Sequence, residues 1–367
     1  MANRMVRAGI VGLGNIGQVH ASCVQANPEI ELVGGVDLTT RSRESFAEEF
    51  DVPTYKAPIE LLEAGVDLVF VCTPNIAHSS LTIEALETGA LVLCEKPPAI
   101  RAEEAERMAE VAERNLPKLR ERFPLATGNL VYGLVYRHTL ANYRPFLHPD
   151  VLGKATVVIA EWQRARGVPG RGLFTNLEAS GGGAGIDLGC HVLDASWWGM
   201  GCPRPLWVSA ITSDELAKTT EVEGYGPYNR AEFGVEGLFG GVVRFEDSML
   251  FLRAAFTSNT PGLVEQASIF WDGSRAGFEF PLHTGDRDVR EVVPRFRGER
   301  YGHMYDATLM APQPLTVEAG YHRQVQHLAD VLAGRNAPIG TPQEGLTLMR
   351  MLNGLYESAG TGRPVDL

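Results

Sequence analysis

The chain of 367 residues is too long for one ordinary domain, and at roughly 150 residues per domain it should hold two. With 44% apolar and 21% charged residues it has a globular composition, and its 40 glycines follow no period of the collagen or low-complexity kind. A formal charge of −12 offers no footprint for nucleic acid or anionic lipid, no apolar run nears the roughly 18 residues of a membrane span, and five scattered cysteines without ligand spacing read as reduced thiols.

Residues 7–14 (RAGIVGLG) are a short apolar run ending in glycines, the pattern of a buried strand that turns sharply. No signal-peptide core precedes this strand, so a cytoplasmic protein is expected. A helical pattern follows over 15–26, then a strand over 31–37 and helices over 42–50 and 58–64. The strand 66–72, the helix 76–88, the strand 90–94 and a charged amphipathic helix over 102–113 continue the alternation. Residues 115–127, with two prolines and clustered basic side chains, read as a surface insertion before a last strand over 129–136. Continuous apolar strands alternating with helices mean a parallel sheet covered on both faces. Beyond residue 151 the strands are longer, over 154–164, 207–212, 234–245 and 249–256, with a hairpin turn at 246–248. Amphipathic helices over 321–333 and 346–358 close the chain. The expectation is an α/β protein with a doubly wound parallel sheet in residues 1–135, followed by an α+β domain with an open, mainly antiparallel sheet in residues 136–367.

Gly12, Leu13, Gly14, Asn15, Ile16 and Gly17 fit GxGxxG directly after a strand and at the opening of a helix. The three glycines serve a tight turn, close backbone approach to a pyrophosphate, and close helix–strand packing, while the helix N-terminus offers N–H groups and a positive dipole end. Asp37 closes the next strand at the distance expected of a ribose-binding acid. A carboxylate there favours NAD over NADP, although Arg41 nearby could hold a 2′-phosphate, so NADP stays open.

Glu95, Lys96 and Pro97 follow a parallel strand at its carboxyl end, where open α/β sheets place their ligands. Pro97 pushes Lys96 to an extended backbone, and Lys96 is one of only five lysines among 33 basic residues. A lysine amine on a surface stem is the plainer alternative. Further on, Gly181, Gly182 and Gly183 read as a flexible coil leading to a helix that carries Asp187, His191 and Asp194. Asp187 and His191, four residues apart, share a helical face, and an imidazole suits proton transfer at neutral pH. A metal site on Asp187, His191 and Asp194 is not expected, because no HxxxH pair or cysteine ligand accompanies them. Trp162, Arg164 and Arg166 lie on and after the first strand of the second domain, where an aromatic could stack on a sugar and arginines could hold hydroxyls or a carboxylate. A sheet surface or subunit contact is the competing reading of that stripe.

Together these residues resemble the glucose–fructose oxidoreductase/inositol dehydrogenase/MocA family. GLGNIG, Cys72-Thr73-Pro74-Asn75 with His78, Glu95-Lys96-Pro97, GGGAGIDLGCH and the tail from His327 to Pro364 match its pattern in order over nearly the whole chain. The resemblance implies a Rossmann domain, then an α/β domain whose open sheet often serves as an oligomer interface, in a homodimer or homotetramer. It implies Lys96, Asp187 and His191 as the catalytic set, Thr73, Pro74, Asn75 and His78 lining the cofactor, Glu95 near the nicotinamide ribose, and Lys96 also touching the cofactor. Tyr136 and Arg137 match the family's strand-end arginine, which adds Arg137 to the substrate candidates, whereas His138 stands where an aromatic is usual. The implied activity is hydride transfer between NAD and a hydroxyl carbon of a sugar, polyol or sugar derivative. A redox-neutral NAD-dependent glycoside hydrolase and a non-catalytic NAD-binding regulator are the alternatives.

Overall fold

The computed structural model describes residues 4–170, 172–282, 293–310 and 316–367. Chain contacts divide it into two units, Met1–Val135 with Gly320–Met349, and Tyr136–Ala319 with Arg350–Leu367.

In the first unit the apolar runs form β1 (Val6–Val11), β2 (Ile30–Val36), β3 (Thr54–Tyr55), β4 (Leu68–Val71), β5 (Leu91–Cys94) and β6 (Leu130–Tyr132). They pair in the order β3-β2-β1-β4-β5-β6, parallel throughout. Every residue of β4 and β5 is buried, as expected of strands with helices on both faces. The helices α1 (Asn15–Gln25), α2 (Thr40–Phe50), α3 (Pro58–Glu63), α4 (His78–Glu87) and α5 (Ala102–Arg122) supply that cover. The chain runs outward from β1 to β3 and then resumes at β4 on the other side of β1, so the order reverses between β1 and β4. Open α/β sheets bind ligands beyond the strand ends at such a reversal.

Two expectations fail here. Residues 115–122 are not an inserted loop: α5 continues through them with Pro117 inside it. The stripe of Met108, Val111, Ala112, Leu116 and Leu119 packs inward while Pro117 is exposed, so packing of that face outweighs the hydrogen bond proline removes. Arg122 then donates to the Val66 carbonyl (3.1 Å) and to buried Asp67 (2.9 Å). The last strand also stops at Tyr132 instead of 136. A Cβ on Gly133 would lie 2.7 Å from the Glu95 carboxylate, and after this close passage the chain enters a helix, Val135–Leu140, that carries Tyr136, Arg137 and His138. Periodicity alone does not separate such a strand-then-helix run from one longer strand.

The helix Val317–Leu332 presents Tyr321, Val325, Leu328 and Leu332 at helical spacing, and its apolar face joins the core formed by Ile10, Phe46, Phe70 and Leu93.

The second unit is built on a sheet whose described strands are β7 (Ala155–Arg164), β8 (Pro205–Ser213), β9 (Leu238–Phe245), β10 (Met249–Ala255), β11 (Glu265–Gly273), β12 (Ala276–Pro281), β13 (Arg295–Arg300), β14 (His303–Thr308) and β15 (Val365–Asp366). Their order is β14-β13-β12-β11-β7-β10-β9-β8-β15, antiparallel except that β7 and β10 run parallel. The inward face, with Val158, Ala160, Trp162, Leu252 and Trp271, is covered by the buried helix Cys190–Gly199, and Trp271 donates its Nε1–H to the Ser196 carbonyl. On the other face Phe270, Ile159, Phe251 and Val242 are register partners across four strands and form a row that this chain leaves partly exposed. Among the described residues no helix is long and apolar enough to cross a membrane.

Candidate active site

In the first unit the glycine loop takes the shape its spacing predicts. Gly12 sits at φ +95°, and a Cβ there would lie 2.6 Å from the Cys72 carbonyl oxygen, so the turn from β1 into α1, where it passes the end of β4, admits only glycine. A Cβ on Gly17 would meet the Gly12 oxygen at 2.1 Å, which is the helix–strand packing role. Above Gly14, by contrast, lies open space. Gly14 is the N-cap of α1 without a side-chain cap, so Asn15, Ile16 and Gly17 open the helix with backbone N–H groups aimed at that space. These features fit a dinucleotide pyrophosphate.

Asp37 follows β2 and shapes the same edge. Its Oδ2 accepts the Leu13 N–H at 3.0 Å and its Oδ1 the Thr39 N–H at 2.8 Å, leaving carboxylate lone pairs for a ribose. Arg41 is exposed. The arginine that holds this loop is Arg43, which donates to the carbonyls of Asp37 (2.8 Å) and Leu38 (3.0 Å).

Thr73 and Asn75 are half-buried and Pro74 is exposed, immediately beyond β4. The Thr73 Oγ1 is buried without a hydrogen-bond partner, a polar atom that suits a bound ligand. His78 is not an open ligand: both its ring nitrogens face carbonyls, Nδ1 that of Pro97 (2.8 Å) and Nε2 that of Thr73 (2.9 Å). It thereby ties the loop after β4 to the loop after β5. Burial lowers its pKa below the ordinary histidine range despite the pull of both carbonyls.

After β5, Lys96 is half-buried and Glu95 is buried. One Glu95 oxygen meets Nε2 of fully buried His20 at 2.8 Å, and the other accepts the Lys96 backbone N–H at 3.1 Å. His20, on α1, was not legible as a site residue, although a polar side chain on the buried face of a helix is a signal. Burial pushes the Cys94 thiol beside it up to about 12, which leaves it inert.

In the second unit Asp187 and His191 are half-buried on one helical segment, but its backbone is not uniformly α-helical. It winds as a π-turn over Gly185–Gly189 before the α-helix Cys190–Gly199, so the α-helical spacing expected between the two residues does not apply. Such π-turns occur frequently at functional sites. The preceding glycines are not a flexible coil either. Buried Glu236 accepts the N–H groups of Gly183 (2.9 Å) and Gly185 (2.8 Å), and the Tyr356 hydroxyl (2.7 Å). A Cβ on Gly183 would lie 2.1 Å from the Glu236 carbonyl, so glycine serves close packing here. Burial raises the Glu236 pKa against those donors. Asp194 is turned away to a buried ion pair with Arg137, whose Nε lies 2.9 Å from Oδ2, and Arg137 itself is 0% exposed. Among the described residues no three His, Cys, Asp or Glu side chains converge as a metal cage.

The His191 ring packs against Trp162 (5.5 Å between centroids) and edge-on to Tyr136 (5.2 Å). Trp162 donates its Nε1–H to Glu265 Oε1 at 2.8 Å, Arg164 Nε donates to the same oxygen at 2.9 Å, and the Tyr225 hydroxyl to Oε2 at 2.7 Å. Glu265 and Tyr225 escaped sequence reading because nothing local pairs residue 265 with residue 164.

A dinucleotide cradle at the strand reversal of one unit, and an imidazole set among aromatics in the other, define an NAD-dependent oxidoreductase. The profile described as "Oxidoreductase family, NAD-binding Rossmann fold" matches residues 6–121, and that of its C-terminal alpha/beta domain matches residues 175–367. The chain belongs to this GFO_IDH_MocA oxidoreductase family. It is 30% identical to D-glucoside 3-dehydrogenase of Escherichia coli K12 over 100% of this chain and 99% of the relative. It is 31% identical to glucose-6-phosphate 3-dehydrogenase of Bacillus subtilis over 53% of each chain. Among solved structures, levoglucosan dehydrogenase with NADH and levoglucosan shares the fold at a TM-score of 0.80 and 17% identity, over 99% of both chains.

Proposed function

We propose that the protein oxidises a hydroxyl carbon of a sugar or polyol, or reduces the corresponding ketone, with Lys96, Asp187 and His191 as the groups that act on the substrate. Bound NAD supplies the hydride acceptor. His191 takes the hydroxyl proton as the C–H bond breaks, Asp187 orients that hydroxyl, and Lys96 stabilises the negative charge that develops on the oxygen. The observation that carries this reading is the half-buried His191, held by Trp162 and Tyr136 at the end of the π-turn that bears Asp187. The name of the E. coli relative supports a glucoside-like substrate. NADH absorbance across a panel of glucosides, aldoses and inositols tests it. Lys96→Ala and His191→Ala should each lose about 10²–10³ in turnover, the usual cost of one such group, and near-full turnover in both would overturn the assignment.

We also infer a homodimer or homotetramer assembled through the open sheet face. The row of Phe270, Ile159, Phe251 and Val242 supports it, since an apolar row on a sheet face is the kind of surface a second copy covers. Phe251→Asp should dissociate the assembly in light scattering.

A further inference from the structure

We propose that Glu265 acts as the specificity residue that makes the surroundings of His191 a site for uncharged carbohydrate, by neutralising Arg164 and so turning away sugar acids and sugar phosphates. The proposal rests on the reading of His191 as a substrate-facing group. Arg164 is the side chain beside Trp162 that would otherwise grip a substrate carboxylate or phosphate in a bidentate fork.

The pairing is built into the sheet. Arg164 at the end of β7 and Glu265 at the start of β11 are direct register partners, so their side chains project together from adjacent strands. The two are only 14% and 12% exposed, which keeps water from screening the pair. The arginine lies over the Tyr225 ring at 4.5 Å, and Tyr225 and Trp162 both donate to the same carboxylate. The carboxylate thus takes three hydrogen bonds, from one cation and two neutral donors, and the cation has its charge offset. Burial would raise the Glu265 pKa, but Arg164 and the donors of Trp162 and Tyr225 outweigh it and keep the group ionised.

The remaining arginine of the stripe is engaged as well. Arg166 donates to Thr220 Oγ1 (2.8 Å), the carbonyls of Ala165 (2.6 Å) and Ser258 (3.0 Å), and Asn259 Oδ1 (2.8 Å). An anionic substrate group would therefore find Arg164 already ion-paired and Arg166 already tied to four neutral acceptors. It would gain no net attraction from Arg164, whose charge Glu265 already offsets. An uncharged ring meets the Trp162 indole and groups able to exchange hydrogen bonds with hydroxyls.

The test compares binding of methyl β-D-glucopyranoside with that of the corresponding glucuronide, which differs only by a carboxylate, to NAD-loaded protein by calorimetry. The wild type should bind the glucoside roughly tenfold or more tighter, and Glu265→Gln, which frees Arg164, should shrink or invert that ratio. Arg164→Met in the Glu265→Gln background should remove the gain for the glucuronide. Equal or tighter glucuronide binding by the wild type, or an unchanged ratio in Glu265→Gln, overturns the proposal. Because the ratio is read by binding, an intact ratio without NADH formation supports the charge assignment while overturning the dehydrogenase reading.

Discussion

His20 and Glu95 meet at 2.8 Å inside the first unit, Nε2 against Oε1, with the imidazole wholly buried. The contact joins the helix that opens at the glycine loop to the strand end that carries Lys96. Glu95 therefore has its direction set by a residue 75 positions away in the chain.

Removing that partner leaves a buried carboxylate short of a hydrogen bond, at a cost of about 1–3 kcal/mol. His20→Ala should lower stability in urea by that order and weaken NAD binding, read by fluorescence titration, by about tenfold. His20→Asn, which keeps a donor, should recover part of the affinity. Unchanged affinity in His20→Ala would leave His20 a packing residue alone.

Asp37 holds the Leu13 and Thr39 N–H groups and leaves its remaining lone pairs outward. Asp37→Ser should lower kcat/KM for NAD and raise that for NADP, since the charge that repels a 2′-phosphate is gone. A wild type that prefers NADP by a wide margin would contradict the role.

Asp67 is fully buried and bonded to Arg122, Arg4 and the Arg7 N–H. Arg122→Ala should cost about 1–3 kcal/mol in chemical denaturation, with Arg4 limiting the loss. A neutral effect would mean that the end of α5 is as dispensable as the loop that Pro117 predicts.

Tyr356 donates to Glu236 and accepts the Ile186 N–H at 3.0 Å, so one hydroxyl ties the glycine turn to the C-terminal helix Pro342–Thr361. Tyr356→Phe should cost about 1 kcal/mol in stability and lower kcat more than it raises KM, because it loosens the turn that positions Asp187 and His191. An equal fall in both Tyr356→Phe and a distant core variant of the same stability would remove the positioning role.

The lowered pKa of Glu265 carries a pH dependence. Its folded pKa is below its unfolded one, so the ionised form contributes stability that is complete above the ordinary glutamate pKa of about 4.3 and is lost as pH falls through the folded value. Denaturation of the wild type and Glu265→Gln should show a constant gap from pH 7 to about 5 that narrows below about 4. A gap that widened on acidification would have the wrong sign.

The parallel sheet, the glycine loop, Asp37 and Lys96 are readable in sequence because each rests on local pattern: an apolar run, a fixed spacing, a strand end. The partners that orient them are not local. Glu265 reaches Arg164 through sheet register, and Glu236 reaches Gly183 and Gly185 across 53 and 51 residues of chain. Pro117 in α5 illustrates the reverse error, where a strong local signal loses to a continuing apolar face. The strands beyond residue 256 were not legible because they put large apolar residues on both faces, as Phe270 and Trp271 do in β11, or carry few of them, as β13 does with Phe296 alone. The π-turn before His191 has no sequence signature at all; its glycines speak equally of a loop.

The helix that brings Val325, Leu328 and Leu332 into the first unit's core comes from near the end of the chain. During synthesis the N-terminal strands are complete long before that helix exists, and at about 5–20 residues per second the wait is roughly 10–40 s. Throughout it, the core that includes Ile10, Phe46 and Phe70 lacks Val325, Leu328 and Leu332. The nascent chain therefore holds a half-clad apolar surface on the ribosome, a natural client for a chaperone, and a fragment ending near Val135 should be recovered as aggregate rather than as a working nucleotide-binding domain.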